Sequence, residues 1–376
     1  MKRTLKVGLV GYGFMGQAHS NAWRQAPHFF DLPAKIELKT ICGRNGVAVR
    51  NAAGKLAWQN FAIDWRDLIT DPDIDIIDIC TPNDSHCEIA IAAARAKKAI
   101  LCEKPLAQNV ADAKRMVAVV QKMRVPNMVC HNYRRVPAIV LARRMIERGE
   151  IGKQIFHFRA RYAQDWIVDP KFPLVWRLQS EKAGSGAIGD IFSHIVDLAR
   201  YLVGEFAEVC AATETFVRRR RLTNARSKFG RVTVDDAVTM IGRFRNGALA
   251  SLEATRFAPG RKNSITLEIN GSSGSLFFDL EEMNRLQFFN RNDPPDRQGF
   301  RDVLVTEQSH PYMKNWWRPG HLIGYEQSFV HTIADFVTAI SRGKSAEPTF
   351  ADGLRNQLVL DAVAQSARSN RWFKMR

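Results

Sequence analysis

A glycine turn at residues 11–16 constrains this chain more than any other feature. Leu5-Lys6-Val7-Gly8-Leu9-Val10 reads as a strand, Gly11-Tyr12-Gly13-Phe14-Met15-Gly16 comes directly after it, and a helical run leads from Gln17 to Gln25. In such a strand-turn-helix unit the first glycine permits the tight turn. The second lets a pyrophosphate approach the backbone, and the third lets helix and strand pack closely. The helix N-terminus then receives the phosphates. Gly11, Gly13 and Gly16, with Phe14 and Met15 between them, are therefore candidate dinucleotide-binding residues.

Beyond the turn the same unit repeats. Strands are expected at Ile36–Cys42, at Ile74–Cys80, through Leu101 and at Asn127–Cys130, with a helix start at Asp64–Leu68 and helices over Glu88–Ala96 and Ala111–Lys122. Strands alternating with helices predict a doubly wound parallel sheet. After residue 131 the pattern changes. A helix is expected over Pro137–Arg148, then strand-like runs at Gln154–Tyr162, Phe206–Phe216, Ala237–Phe244, Ala248–Thr255, Ser264–Ile269 and Ser275–Asp279. Turns such as Arg245-Asn246-Gly247 and Asn270-Gly271-Ser272 separate them. The fold class expected is α/β, with a dinucleotide-binding domain over residues 1–131 and an α+β domain over 132–376 carrying a large, open, mainly antiparallel sheet. A sheet face left uncovered by helices would favour self-association.

The strand ends carry the chemistry. The apolar run Ala99–Cys102 stops at Glu103-Lys104-Pro105. A lysine just past the carboxyl end of a parallel strand lies on the rim where open α/β sheets bind ligands. There an ammonium can hold a hydroxyl and favour the alkoxide that develops during oxidation. Pro105 permits a cis Lys-Pro bond, which would fix the direction of Lys104. A charged turn is also an ordinary way to end a strand. Thr81-Pro82-Asn83-Asp84-Ser85-His86 closes the preceding strand, where polar groups would face a nicotinamide ribose, cap the next helix, or do both. The second strand ends in Gly43-Arg44-Asn45, without the acidic residue that usually holds the adenosine ribose of NAD. Arg44 suits stacking on adenine, pairing with a 2'-phosphate, or plain solvation, so NAD and NADP both stay open.

A second constellation lies in Gly184–Tyr201, where Asp190, His194 and Asp197 recur at i, i+4 and i+7 on one helix face. Histidine is the side chain best suited to take a hydroxyl proton near neutral pH, and a carboxylate one turn away can orient its ring. The plain alternative is a polar stripe in which His194 is structural.

Composition excludes other classes. No uninterrupted apolar run approaches the roughly 20 residues that cross a bilayer. Met1-Lys2-Arg3 before Leu5–Val10 imitates a signal peptide, but Gly8, Gly11, Gly13 and Gly16 interrupt the apolar part. A cytoplasmic protein with no membrane partner is expected. The six cysteines show no CxxC or zinc spacing, so buried free thiols and no metal are expected, with ligation by Cys80, His86 and Cys87 as the alternative. A formal charge of +17 raises the question of nucleic acid. Its densest part, Arg218–Arg221 with Arg226, Lys228 and Arg231, lacks interleaved aromatics and reads as a solvated hairpin loop. No nucleic-acid partner is expected, although the basic field favours an anionic cofactor.

Gly11–His19, Thr81-Pro82-Asn83, Glu103-Lys104-Pro105, Tyr133-Arg134, Trp176-Arg177 and Asp190–Asp197 together resemble the Gfo/Idh/MocA family of glucose-fructose oxidoreductase and inositol dehydrogenase. The resemblance covers almost the whole chain in motif order and spacing. It implies a Rossmann domain and an α+β domain whose open sheet forms homodimers or homotetramers. It implies NAD, or NADP, held by Gly11, Gly13, Phe14, Met15, Gly16, Arg44, Thr81, Pro82, Asn83, His86, Glu103, Lys104, Trp176 and Arg177. Lys104, Asp190 and His194 are the implied catalytic group. The implied substrate is a small sugar or polyol, oxidised at a secondary hydroxyl to a keto sugar, with the 3-keto type favoured. Tyr133, Arg134, Asp165 and Trp166 are candidates for fixing it beside Lys104, Asp190 and His194, or else serve only the domain junction. Two other readings share the resemblance: an enzyme that recycles a tightly held cofactor, including NAD-dependent glycosidases, and a sugar-sensing regulator without turnover. Many members have glycine where this chain has Phe192, and a ring there would narrow the sugar pocket.

Overall fold

A computed structural model describes residues 2–223 and 227–375, so Arg226 of the basic run lies outside the described residues. The chain divides into two compact units, one of Met1–Arg135 with Gly324–Gln357 and one of Val136–Ile323 with Leu358–Arg376.

The first unit is built on a six-stranded parallel sheet. Its strands are β1 (Thr4–Val10), β2 (Lys35–Cys42), β3 (Asn60–Ala62), β4 (Ile76–Ile79), β5 (Ala99–Glu103) and β6 (Asn127–Cys130), in the order β3-β2-β1-β4-β5-β6. β1 is central, so the glycine turn after it opens where the strand order reverses, the place where such sheets bind ligands. β4, β5 and β6 are buried along their whole length, which is why they read as nearly unbroken apolar runs. Asp78 is the carboxylate that interrupts β4. Helices α1 (Phe14–Phe29), α2 (Gly46–Leu56), α3 (Trp65–Thr70), α4 (His86–Arg95) and α5 (Val110–Met123) connect the strands. Asn45, Asp64 and Asn109 cap α2, α3 and α5 by accepting the N–H groups of Ala48, Arg66 and Asp112. The short edge strand β3 is not legible in sequence because Asn60 and Phe61 are exposed and show no alternation. Residues 324–357 also belong to this unit. Their helix Tyr325–Ile340 lies on α1, setting the Phe329 ring 5.5 Å from that of His19 and Phe336 edge-on to Trp23 at 6.4 Å.

The second unit contains a nine-stranded sheet. In spatial order its strands are Arg301–Leu304, Arg285–Asn290, Gly274–Asp279, Ser264–Gly271, Ile155–Ala163, Leu249–Thr255, Ala237–Phe244, Phe206–Glu214 and Phe373–Lys374. Every pair is antiparallel except Ile155–Ala163 with Leu249–Thr255, which run parallel. In Ala237–Phe244 the buried residues Val238, Met240, Gly242 and Phe244 alternate with Thr239, Ile241 and Arg243, the signature of a sheet covered on one face. Phe206 stacks on Phe244 at 4.5 Å and Phe158 meets it edge-on at 6.2 Å, filling the covered side.

The basic run departs from its expected form. Arg219–Arg221 pairs with Phe229–Arg231 as a hairpin, and strand alternation turns every second side chain inward. Arg220 is fully buried and donates to the carbonyls of Ile167, Asp169 and Phe172 at 2.5, 2.8 and 3.2 Å. Only its neighbours are solvated. No helix among the described residues is long and apolar enough to cross a membrane.

Candidate active site

In the first unit the glycine turn has the geometry its sequence requires. Gly11 has φ of +104°, and a Cβ there would sit 2.5 Å from the Cys80 carbonyl oxygen. A Cβ on Gly16 would fall 2.0 Å from the Gly11 oxygen. Gly13 differs, since a Cβ there meets nothing within 4 Å. Gly13 also begins α1 without any side-chain cap, leaving the first N–H groups of the helix available for an anion. This open cradle fits the pyrophosphate of a dinucleotide. Phe14 is exposed and Met15 half-buried on the same first turn.

Beyond β2, Arg44 is exposed and Asn45 is committed to capping α2. Tyr12 makes a contact that no sequence motif announces. Its ring lies so close to Gly43 that a Cβ there would meet it at 2.1 Å, so a larger residue at this strand end would have to displace the Tyr12 ring.

The other two strand ends are tied together by His86. Its ring nitrogens lie 3.0 Å from the Thr81 carbonyl and 3.1 Å from the Pro105 carbonyl. Burial lowers the pKa of this ring, which sits between the Thr81-Pro82-Asn83 turn and the Lys104-Pro105 turn and, when neutral, donates to one of the two carbonyls. Ser85 strengthens the first turn, its Oγ lying 2.7 Å from Thr81 Oγ1 and 2.8 Å from the Pro82 carbonyl. The Lys104-Pro105 peptide is cis.

Beneath Lys104 lies a buried polar network. His19 on α1 places Nδ1 2.9 Å from Asp78 Oδ2 and Nε2 2.9 Å from Glu103 Oε1. Trp23 Nε1 donates to the same Asp78 carboxylate at 2.7 Å, and the Lys104 N–H donates to Glu103 Oε2 at 3.2 Å. Burial alone would lower His19, but the Asp78 carboxylate overcomes it and holds the ring well above its usual range. Glu103 shows the converse. Burial would raise it, yet the hydrogen bond from His19 and its charge keep the carboxyl below its ordinary value. An imidazolium between two carboxylates thus fixes the residue that precedes Lys104. Tyr133 and Arg134 are buried in this unit, with the Tyr133 ring 6.3 Å from that of Tyr325.

In the second unit Asp190 lies in a π-helical turn, Ile188–Phe192, that runs into the helix Ser193–Leu202. Such turns recur at functional sites, and the i, i+4 arithmetic of a regular helix does not hold through this one. Asp235 builds the turn: its carboxylate accepts the N–H groups of Gly186 and Ile188, both at 2.8 Å. A Cβ on Gly186 would lie 1.7 Å from the Asp235 carbonyl, so the glycine is obligatory. Two guanidinium groups face Asp190, with Arg177 Nε 4.0 Å from Oδ1 and Arg256 Nη1 3.7 Å from Oδ2. Arg177 itself stacks on the Trp176 ring at 4.3 Å. His194 is buried, and its ring centroid lies 5.9 Å from that of Tyr162. From there a chain of side chains continues: Tyr162 donates to Asn263 at 2.6 Å, Gln164 donates to the same oxygen at 2.7 Å, and Trp166 donates to Gln164 at 2.9 Å.

Asp165 turns elsewhere. It accepts Lys262 Nζ at 2.7 Å and the Gly260 N–H at 3.1 Å, and the Lys262 bond holds its carboxyl below the usual range. Phe192 is wholly buried, so its ring is withdrawn from solvent. Of the expected site residues, Trp166, Trp176, Arg177, Asp190 and His194 fall in the second unit, while the glycine turn, Arg44, Thr81, Glu103, Lys104 and Tyr133 fall in the first.

Residues 5–131 match the model of the oxidoreductase family with an NAD-binding Rossmann fold, and residues 139–277 match that of the GFO/IDH/MocA C-terminal domain. Levoglucosan dehydrogenase of Pseudarthrobacter phenanthrenivorans is 45% identical over 98% of both chains. The chain belongs to the Gfo/Idh/MocA oxidoreductase family.

Solved structures of similar proteins superpose on this Gfo/Idh/MocA chain over their whole length. An oxidoreductase domain protein from Kribbella flavida is 53% identical, with a TM-score of 0.96 over 100% of both chains. A levoglucosan dehydrogenase in complex with NADH and levoglucosan is 46% identical, again with a TM-score of 0.96 and 100% of both chains covered. The dinucleotide that the glycine turn fits is NAD.

Proposed function

We propose that this Gfo/Idh/MocA member is an NAD-dependent dehydrogenase that oxidises one secondary hydroxyl of a pyranose-type sugar, with an anhydrosugar such as levoglucosan as its substrate. The observation that carries this reading is 45% identity to levoglucosan dehydrogenase across 98% of both chains, with Lys104, Asp190 and His194 all present.

The bound nicotinamide supplies the hydride acceptor. The chain's own side chains do the rest. Lys104 donates to the reacting hydroxyl oxygen and stabilises the alkoxide as it forms. An imidazole nitrogen of His194 takes the hydroxyl proton, and Asp190 orients that ring. Trp166 offers an apolar face to a sugar ring, while Tyr133 and Arg134 hold its other hydroxyls. Gly11, Gly13 and Gly16 receive the pyrophosphate, with Phe14 and Met15 beside it. Arg44 stacks at the adenosine end, and the Thr81-Pro82-Asn83 turn meets the nicotinamide ribose. The product is a keto sugar, of the 3-keto type. The open face of the large sheet, where Ile241 and Leu249 are exposed, supports self-association as a homodimer or homotetramer.

Purified protein offered NAD and then NADP with hexoses, anhydrosugars, glycosides and inositols tests the reading through the absorbance of reduced nicotinamide. Turnover is expected with levoglucosan, and NMR of the product is expected to place the new carbonyl at carbon 3. Absence of turnover with every sugar would reject the enzyme reading.

A further inference from the structure

The second unit contains a charge that the reaction scheme leaves unused. Arg256 comes directly after the strand Leu249–Thr255, and its side chain is 0% exposed. Taking a guanidinium out of water is costly unless its partners repay it. Its backbone N–H donates to the Asp236 carbonyl at 3.0 Å, Nη2 donates to the Asp235 carbonyl at 2.8 Å, and Nη1 reaches the Arg177 carbonyl at 3.4 Å. The Trp166 ring lies 5.5 Å from the guanidinium carbon. Two carboxylates face the charge, Asp190 and Asp236, each at 3.7 Å. One buried cation therefore touches the loop that caps the π turn, the segment carrying Arg177, and the carboxylate of the turn itself.

Arg177 also faces Asp190, but its side chain is 39% exposed, so water screens it. Arg256, by contrast, is wholly buried. We propose that Arg256 is the positioning residue for Asp190, fixing its carboxylate on the π turn so that it can orient His194. The inference rests on the dehydrogenase reading above. A lysine would keep the charge but lose the planar fork that serves Asp235, Arg177 and Asp190 at once.

The test is a double-mutant cycle on levoglucosan oxidation, with R256M, R256K, D190N and the doubles R256M/D190N and R256K/D190N. R256M is expected to lower kcat about tenfold or more while the KM for NAD changes by less than about threefold, because the glycine turn that receives the pyrophosphate lies in the other unit. R256K is expected to keep the charge and recover only part of that loss, because the fork is gone. If Arg256 acts through Asp190, each double variant falls no further than D190N alone, within about twofold. Losses that multiply in the doubles, or an unchanged kcat in both R256M and R256K, would overturn the assignment. Should R256M fail to fold by thermal melting, R256K carries the cycle. A wild-type enzyme without turnover would remove the dehydrogenase reading, and this inference with it. Turnover with additive losses would remove the inference alone.

Discussion

His19 and Asp78 form a buried pair, 2.9 Å apart, on neighbouring elements of the Rossmann unit, and the other side of the same imidazole holds Glu103. Removing one partner of such a pair leaves uncompensated charge behind. His19→Gln is therefore expected to destabilise the protein by about 3–5 kcal/mol in urea unfolding. The pH dependence has a definite sign. The folded pKa of His19 lies above its unfolded value, so its contribution is complete below about pH 6.5 and is lost as pH rises through the folded value. The difference in stability between wild type and His19→Gln should shrink at alkaline pH.

Gly186 meets the Asp235 carbonyl too closely for any side chain. Gly186→Ala is expected to cost roughly 1–3 kcal/mol and to displace the turn bearing Asp190. Kinetics should show lower kcat while fluorescence titration with NADH shows unchanged affinity.

His331 gives a prediction on the acid side. Burial pushes its pKa down to about 3, and Nδ1 donates to the Arg135 carbonyl at 2.8 Å. The unfolded chain binds a proton at this residue near pH 6.5, whereas the folded chain does so only near pH 3. Stability must therefore fall as pH drops through that window. His331→Gln should flatten this part of the acid denaturation curve while lowering stability at neutral pH.

We propose that Arg44 meets the adenosine end of the cofactor. If it pairs with a 2'-phosphate, Arg44→Ala weakens NADPH binding far more than NADH binding. For an NAD enzyme, small and equal losses are expected in titrations with both.

How much of this is legible in sequence depends on how local each cause is. Gly11, Gly13 and Gly16 announce themselves because a turn imposes its demands within six residues. The wholly buried strands β4 and β5 read as apolar runs, and their polar ends point to Thr81 and Lys104. The His19–Asp78–Glu103 network joins three elements far apart in the chain, so no spacing rule can assemble it. Its one local signal is Asp78 inside an otherwise apolar strand, a carboxylate that needs a buried partner. Arg256 gives no such signal, because nothing beside it in sequence hints that its side chain is buried. Helical periodicity singles out Asp190 and His194, but the π turn that holds Asp190 depends on Asp235, which lies on a distant loop. The parallel pairing within the large sheet is likewise hidden, since alternation specifies a face and not a direction.

The proposed oxidation requires both the Lys104 ammonium and the His194 imidazole. The most direct measurement is the rate of NADH formation from levoglucosan by wild type, Lys104→Met and His194→Asn, with NADH affinity measured on each. Steady turnover is expected in wild type, with a loss well beyond tenfold in both variants while each still binds NADH. Near-normal turnover in either variant would contradict the claim.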